Sequence, residues 1–149
     1  MTTIVYRNGV MAADTQAYLG RGESGAARKS KIFKEPDGTL IGASSGCVGG
    51  TWFLLDWFRN GCKTPVEGVA PDSFEMLIVR PGGLITLYHD GFYPTHITAE
   101  FAAIGSGAAY ALGAMSHGAG PELAVSIACE HDPFSGGEVE ALSLTPGGQ

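Results

Sequence analysis

The sequence predicts an α+β fold in which antiparallel sheets carry helices on their outer faces. Three observations lead there. The chain opens on two β-prone runs joined by Asn8-Gly9, the strongest short hairpin signal. Strand-like and helix-like stretches then follow in blocks rather than in the strict alternation of a parallel sheet: sheet, helix, sheet, two helices, strand. A chain of 149 residues, 44% hydrophobic and 16% charged, is long enough for one cored domain and too short for two ordinary ones. Residues 1–149 are therefore read as a single domain.

In TTIVYRNGVMAAD a two-residue type I′ turn pairs Arg7 with Val10, Tyr6 with Met11, Ile4 with Ala13 and Thr3 with Asp14. That register sets a carboxylate beside the first residues of the chain. Further strands are expected at 29–35, 40–45, 74–80, 84–89, 101–105 and 139–144, with Pro81-Gly82-Gly83 turning a second hairpin. Helices are expected at about 48–59, where VGGTWFLLDWF is apolar nearly all round, at 108–117, and at 121–130 with Pro121 in an early helical position. Between them, the prolines and glycines of RNGCKTPVEGVAPDS at 59–73 oppose any helix of normal length.

Composition excludes several functions. With 9 basic against 15 acidic residues the formal charge is −6, so the basic stripe that nucleic acid or an anionic membrane requires is missing. No apolar run reaches the roughly 18 residues of a membrane span, and the first residues lack a signal-peptide pattern, so a cytoplasmic protein is expected. Cys47, Cys62 and Cys129 are too scattered for a disulfide framework or a zinc cluster, and His89, His96, His117 and His131 have no ligand spacing. Neither metal nor cofactor is expected. AIGSGAAYALG imitates a dinucleotide-binding glycine loop, but Tyr110 stands where the third glycine belongs.

The chemistry that remains starts at Thr2. A side chain this small lets an aminopeptidase remove Met1, and a terminal threonine then offers a hydroxyl nucleophile together with an α-amine of pKa roughly 7.7–8.0. Asp14, Lys31, Ser45-Gly46, Gly105-Ser106-Gly107 and Asp132-Pro133-Phe134-Ser135-Gly136-Gly137 supply further polar and glycine positions. Each has a bland explanation alone; their order along the chain is what carries meaning.

That order resembles the proteasome β-subunit family, and within it the HslV-type peptidases, which are N-terminal-nucleophile (Ntn) hydrolases. TTIV, the Asn-Gly turn and AAD resemble the family's opening, and KIF its lysine strand. GASSGCVGGTWFLL resembles its glycine turn and first helix, IGSGAAYALGAM its serine turn, and DPFSGGEVEALSL its closing motif. The resemblance implies a four-layer αββα sandwich of two antiparallel sheets, with one helical layer reduced by the 59–73 segment.

It also implies a threonine-type endopeptidase. Thr2 would be the nucleophile and its freed amine the base, Lys31 the cation that lowers their pKa values, and Asp14 the partner holding that lysine. The Gly46 N–H would bind the oxyanion, while Ser106, Asp132 and Ser135 would complete the hydrogen bonding around the amine. Lys29 competes with Lys31, and the aliphatic residue after Lys31 favours the latter. Substrate would add as a strand near Thr15, Ala17, Tyr18 and Cys47, with Lys29 and Ser44 at pocket positions. The implied partners are protein or peptide substrates, further copies in a homo-oligomeric ring, and a separate ATP-dependent unfoldase, since the chain has no nucleotide-binding motif of its own. Two alternatives stand beside this one: a catalytically silent Ntn-fold subunit with an assembly role, and a small-molecule Ntn amidase.

Overall fold

The computed structural model describes residues 2–18, 26–45, 49–63, 74–89 and 92–144. Asn8 and Gly9 both take positive φ, 50° and 81°, as a type I′ turn demands. They fold β1 (Ile4–Arg7) onto β2 (Val10–Ala13) in the expected register, Arg7 against Val10 and Ile4 against Ala13. β3 (Gln16–Tyr18), β4 (Ala26–Arg28), β5 (Ile32–Lys34) and β6 (Leu40–Ser45) follow, then α1 (Gly50–Arg59). β7 (Phe74–Val79), β8 (Ile85–His89), β9 (Pro94–Ile97) and β10 (Phe101–Ile104) lead to α2 (Ala108–Ser116), α3 (Pro121–His131) and β11 (Glu140–Ser143).

The strands form a four-stranded sheet in the order β10-β1-β2-β11, a five-stranded sheet β5-β6-β7-β8-β9, and the pair β3-β4. Every pairing in them is antiparallel. Three apolar clusters stack as the layers between them. Ile4, Met11, Leu40, Leu77, Val79 and Ile85 fill the space between the two large sheets. Val5 and Ala12 turn the other way, against Ala111, Met115, Val125 and Ala128 of α2 and α3. Ile41, Ala43, Met76 and Ile78 meet Leu54, Leu55 and Trp57 of α1 on the far side. The result is four layers, α2/α3, sheet, sheet, α1, and it explains the apolar stretches IVY of β1 and MLIV of β7: strands covered on both faces need no polar alternation.

Several elements differ from expectation. The strand expected at 29–35 contracts to 32–34, because the Lys29 N–H still bonds the Thr15 carbonyl (2.9 Å) while the Lys31 carbonyl already accepts the Ala43 N–H (3.0 Å). Residues 29–31 are the switch from the β3-β4 pair to the five-stranded sheet. β3, β4 and β9 were not anticipated, being three or four residues long; β9 tolerates Pro94 as the first residue of an edge strand. α1 is not buried all round: Leu54, Leu55 and Trp57 face the sheet, whereas Trp52 is 55% exposed. Among the described residues this layer holds the one helix, and no helix is long and apolar enough to cross a membrane.

The inter-sheet layer is tightest at Gly42, where a Cβ would come 2.7 Å from Ile4 Cγ2 and 3.1 Å from Met11 Sδ. Gly42→Ala is expected to destabilise the fold by about 1–3 kcal/mol through overpacking, measured as a lowered denaturant midpoint with unchanged slope.

Candidate active site

The hairpin register brings Asp14 to Thr3. The Asp14 N–H bonds the Thr3 carbonyl at 3.1 Å, and the Thr3 N–H returns to Asp14 Oδ1 at 3.0 Å. Lys31, leaving the strand switch just before β5, sets Nζ 2.9 and 3.0 Å from the two oxygens of the same carboxylate. Both side chains are shut away from water, at 0% and 1% exposure. A buried ion pair repays its desolvation only when its remaining hydrogen-bond capacity is met. Here the Gly136 N–H adds a further bond to Oδ2 at 3.1 Å, so Asp14 accepts from two backbone amides as well as the ammonium.

A second carboxylate organises the opposite side. Asp132 follows the last residue of α3 and accepts the Ser106 and Ser135 hydroxyls on Oδ2 at 2.7 and 2.6 Å, and the Phe134 N–H on Oδ1 at 3.1 Å. Burial pushes its pKa up, but the hydrogen bonds from Ser135, Ser106 and Phe134 outweigh that and hold it below the ordinary 3.8. Because Ser135 spends its proton on Asp132, the Thr3 hydroxyl is the donor in the 2.7 Å contact between Thr3 Oγ1 and Ser135 Oγ. Ser106 Oγ in turn accepts the Thr2 N–H at 3.0 Å.

The turn from β10 into α2 grips Thr2 by its backbone. The Gly107 N–H bonds the Thr2 carbonyl at 3.2 Å. Gly105 has φ +96°, and a Cβ there would run into that carbonyl; a Cβ at Gly107 would run into Thr3 Oγ1. The glycines that mimic a nucleotide loop are thus required by close approach of Thr2 and Thr3. The Cys129 thiol is raised to about 11 by burial and by the charges of Asp14 and Asp132, against the opposing pull of Lys31. Near neutral pH the thiol therefore stays protonated, where the thiolate would be the reactive form.

Thr2, Asp14, Lys31, Ser106, Asp132 and Ser135 therefore lie in one connected network. Gly46 and Cys47 lie outside the described residues, as does the side chain of Tyr18, whose backbone pairs with Ala26 in β3-β4. Thr15 is buried and donates its hydroxyl to the Glu138 carbonyl (2.7 Å), and Ala17 is buried on β3. Lys29 Nζ donates to Thr51 Oγ1 (3.0 Å), whereas Lys31 Nζ donates to Asp14; Ser44 is buried near the end of β6. Sequence reading missed Thr3, Gly136 and Thr51 as participants. Thr3 was within reach, since the register already placed it opposite Asp14. Among the described residues no cluster of His, Cys, Asp and Glu is arranged to hold a metal.

No family model and no curated protein matches the chain. Solved structures do. The chain is similar to Thiobacillus denitrificans BPH at 23% identity and a TM-score of 0.68, covering 97% of this chain and 98% of that one. It is similar to the eukaryotic HslV of Trypanosoma brucei at 17% identity and 0.72, with 95% and 98% covered. A Gly-1 mutant of Anbu from Hyphomicrobium sp. strain MC1 matches at 14% and 0.67, with 96% and 81% covered. The likeness establishes the fold, a four-layer αββα sandwich of two antiparallel sheets.

The depressed pKa of Asp132 carries a pH dependence. Its contribution to stability is complete above 3.8 and is lost as pH falls through the lower folded value. Asp132→Asn is expected to cost about 1–3 kcal/mol at pH 7. Its melting temperature should also fall less steeply than wild type when titrated below 3.8.

Proposed function

We propose that the protein is a threonine-type peptidase, a single-domain Ntn-hydrolase subunit whose nucleophile is Thr2 after removal of Met1. The observation that carries this reading is the convergence on the Thr2-Thr3 backbone of two separately built sites, the Lys31–Asp14 ion pair and the Ser106–Asp132–Ser135 cluster. A purely structural terminus has no need of a fully buried lysine, which costs several kcal/mol to desolvate.

The reaction follows from those groups. Once Met1 is gone, the Thr2 nitrogen beside Ser106 Oγ becomes an amine that takes the proton of the Thr2 hydroxyl as Oγ1 attacks a peptide carbonyl. The scissile C–N bond breaks, its nitrogen leaves with that proton, and an ester remains on Thr2. Water, deprotonated by the same amine, then hydrolyses the ester and restores the hydroxyl. Lys31 shares Asp14 Oδ1 with the Thr3 N–H, one residue from the nucleophile, and its charge lowers the pKa of both reacting groups. Gly46 is assigned the oxyanion donor by the family resemblance, and Thr15, Ala17, Tyr18, Lys29, Ser44 and Cys47 the substrate cleft.

Proteins or peptides are the proposed substrates. The exposed Trp52, Tyr110, Leu123 and Phe134 support assembly of a homo-oligomeric ring in the cytoplasm, served by an unfoldase on a separate chain.

An α′,β′-epoxyketone peptide tests the nucleophile, since it needs a hydroxyl and a free amine on one residue. Active protein should lack the mass of Met1 and gain one inhibitor per chain on the peptide beginning Thr2-Thr3-Ile4. Thr2→Ala should lose both hydrolysis and labelling, and Thr2→Ser should keep some of each. Folded, assembled protein that takes up no inhibitor would favour the silent subunit.

The two lysines separate the roles of cation and pocket. Lys31→Ala is expected to lower turnover by at least about a hundredfold, whereas Lys29→Ala should act mainly on substrate preference and KM. A reversed order in steady-state kinetics would reassign the cation to Lys29.

A further inference from the structure

β7 places Phe74, Met76 and Ile78 toward α1, and Leu77 and Val79 between the large sheets. Strand alternation therefore points Glu75 into the inter-sheet layer, in line with Leu77 and Val79. A half-buried carboxylate in that row has to be accounted for, because an apolar side chain would pack there without a desolvation cost. Its partner lies just beyond β10 of the other sheet: Glu75 Oε1 accepts the Gly105 N–H at 3.1 Å.

Gly105 opens the turn that holds Thr2. Its flat Cα faces the Thr2 carbonyl, Ser106 Oγ receives the Thr2 N–H, and the Gly107 N–H reaches the Thr2 carbonyl. Gly105, at φ +96°, holds a conformation that only glycine adopts freely, and its amide is tied across the sandwich. On β7, Glu75 sits opposite Ser44 of β6 and His89 of β8, so the tie belongs to a polar row at the end of the inter-sheet layer.

We infer that Glu75 is a positioning residue for the nucleophile: its carboxylate oxygen fixes the Gly105–Gly107 turn, and through it the backbone of Thr2. The inference rests on the reading of Thr2 as nucleophile. It acts through geometry, where a displacement of about 1 Å can cost on the order of a hundredfold in rate.

The test measures peptide turnover, epoxyketone labelling and backbone hydrogen exchange over residues 101–107 in wild type, Glu75→Ala and Glu75→Gln. Glu75→Ala is expected to lower kcat about ten- to a hundredfold with KM within about twofold, and to speed exchange at Gly105. Glu75→Gln, whose amide oxygen accepts the same N–H, should keep kcat within about threefold. Wild-type kcat in Glu75→Ala, or Gln as poor as Ala, overturns the inference. Should Glu75→Ala not fold, Glu75→Met fills the same space without the acceptor and takes its place. Wild type that neither turns over substrate nor labels defeats the peptidase reading instead. Exchange then decides Glu75 alone: faster at Gly105 in the Ala or Met variant upholds the tie, and unchanged exchange removes it.

Discussion

The Asp14 carboxylate is the constraint on which the site depends. One buried group is bonded by the Thr3 N–H from the opening hairpin, the Lys31 ammonium from the strand switch, and the Gly136 N–H from the segment after α3. Three parts of the chain distant in sequence are pinned to two oxygen atoms. Remove the carboxylate and a lysine is left without its counter-charge in a site closed to water, a loss of about 3–5 kcal/mol. Remove the lysine and the acid becomes the uncompensated charge. The pair is stable as a unit, which is why its geometry can be held without help from solvent.

The second carboxylate works by different physics. Asp132 carries no lysine or arginine partner among the described ion pairs; hydroxyls and a backbone amide stabilise its charge. It fixes the direction of two serine protons, and so makes Ser106 an acceptor toward Thr2 and Ser135 an acceptor toward Thr3. One acid thus controls charge and the other controls proton direction. Thr2 and Thr3 lie where the two systems meet.

Much of this was legible because strong local signals coincide with the site. Asn8-Gly9 dictates a turn type, the turn dictates a register, and the register delivers Asp14 to Thr3 before any tertiary contact is considered. Lys31 is preferred over Lys29 through the family resemblance, whose pattern has an aliphatic residue after the lysine; Ile32 fits that pattern and is buried in the core. Illegible features are those whose cause is purely tertiary. β3, β4 and β9 are too short for periodicity and exist by pairing; Gly42 is small because Ile4 and Met11 cross it from another sheet. Gly105 and Gly107 read as ordinary turn residues, and only the approach of the chain's first residues shows what they make room for. Glu75 is hidden in an apolar strand, with nothing beside it in sequence to suggest its partner thirty residues on.

The bonds around Thr2 and Thr3 span nearly the whole chain, with separations of 104 residues to Ser106 and 132 to Ser135, and Gly136 lies 122 residues beyond Asp14. Contacts this remote close late, since loop entropy must be overcome before they reward folding. Thr2 and Thr3 wait for partners synthesised more than a hundred residues later. A nascent chain can form the hairpin at once, yet it holds no assembled centre until translation has passed Gly136. Formation of the hairpin and closure of the network around it are thus separated in time by topology alone.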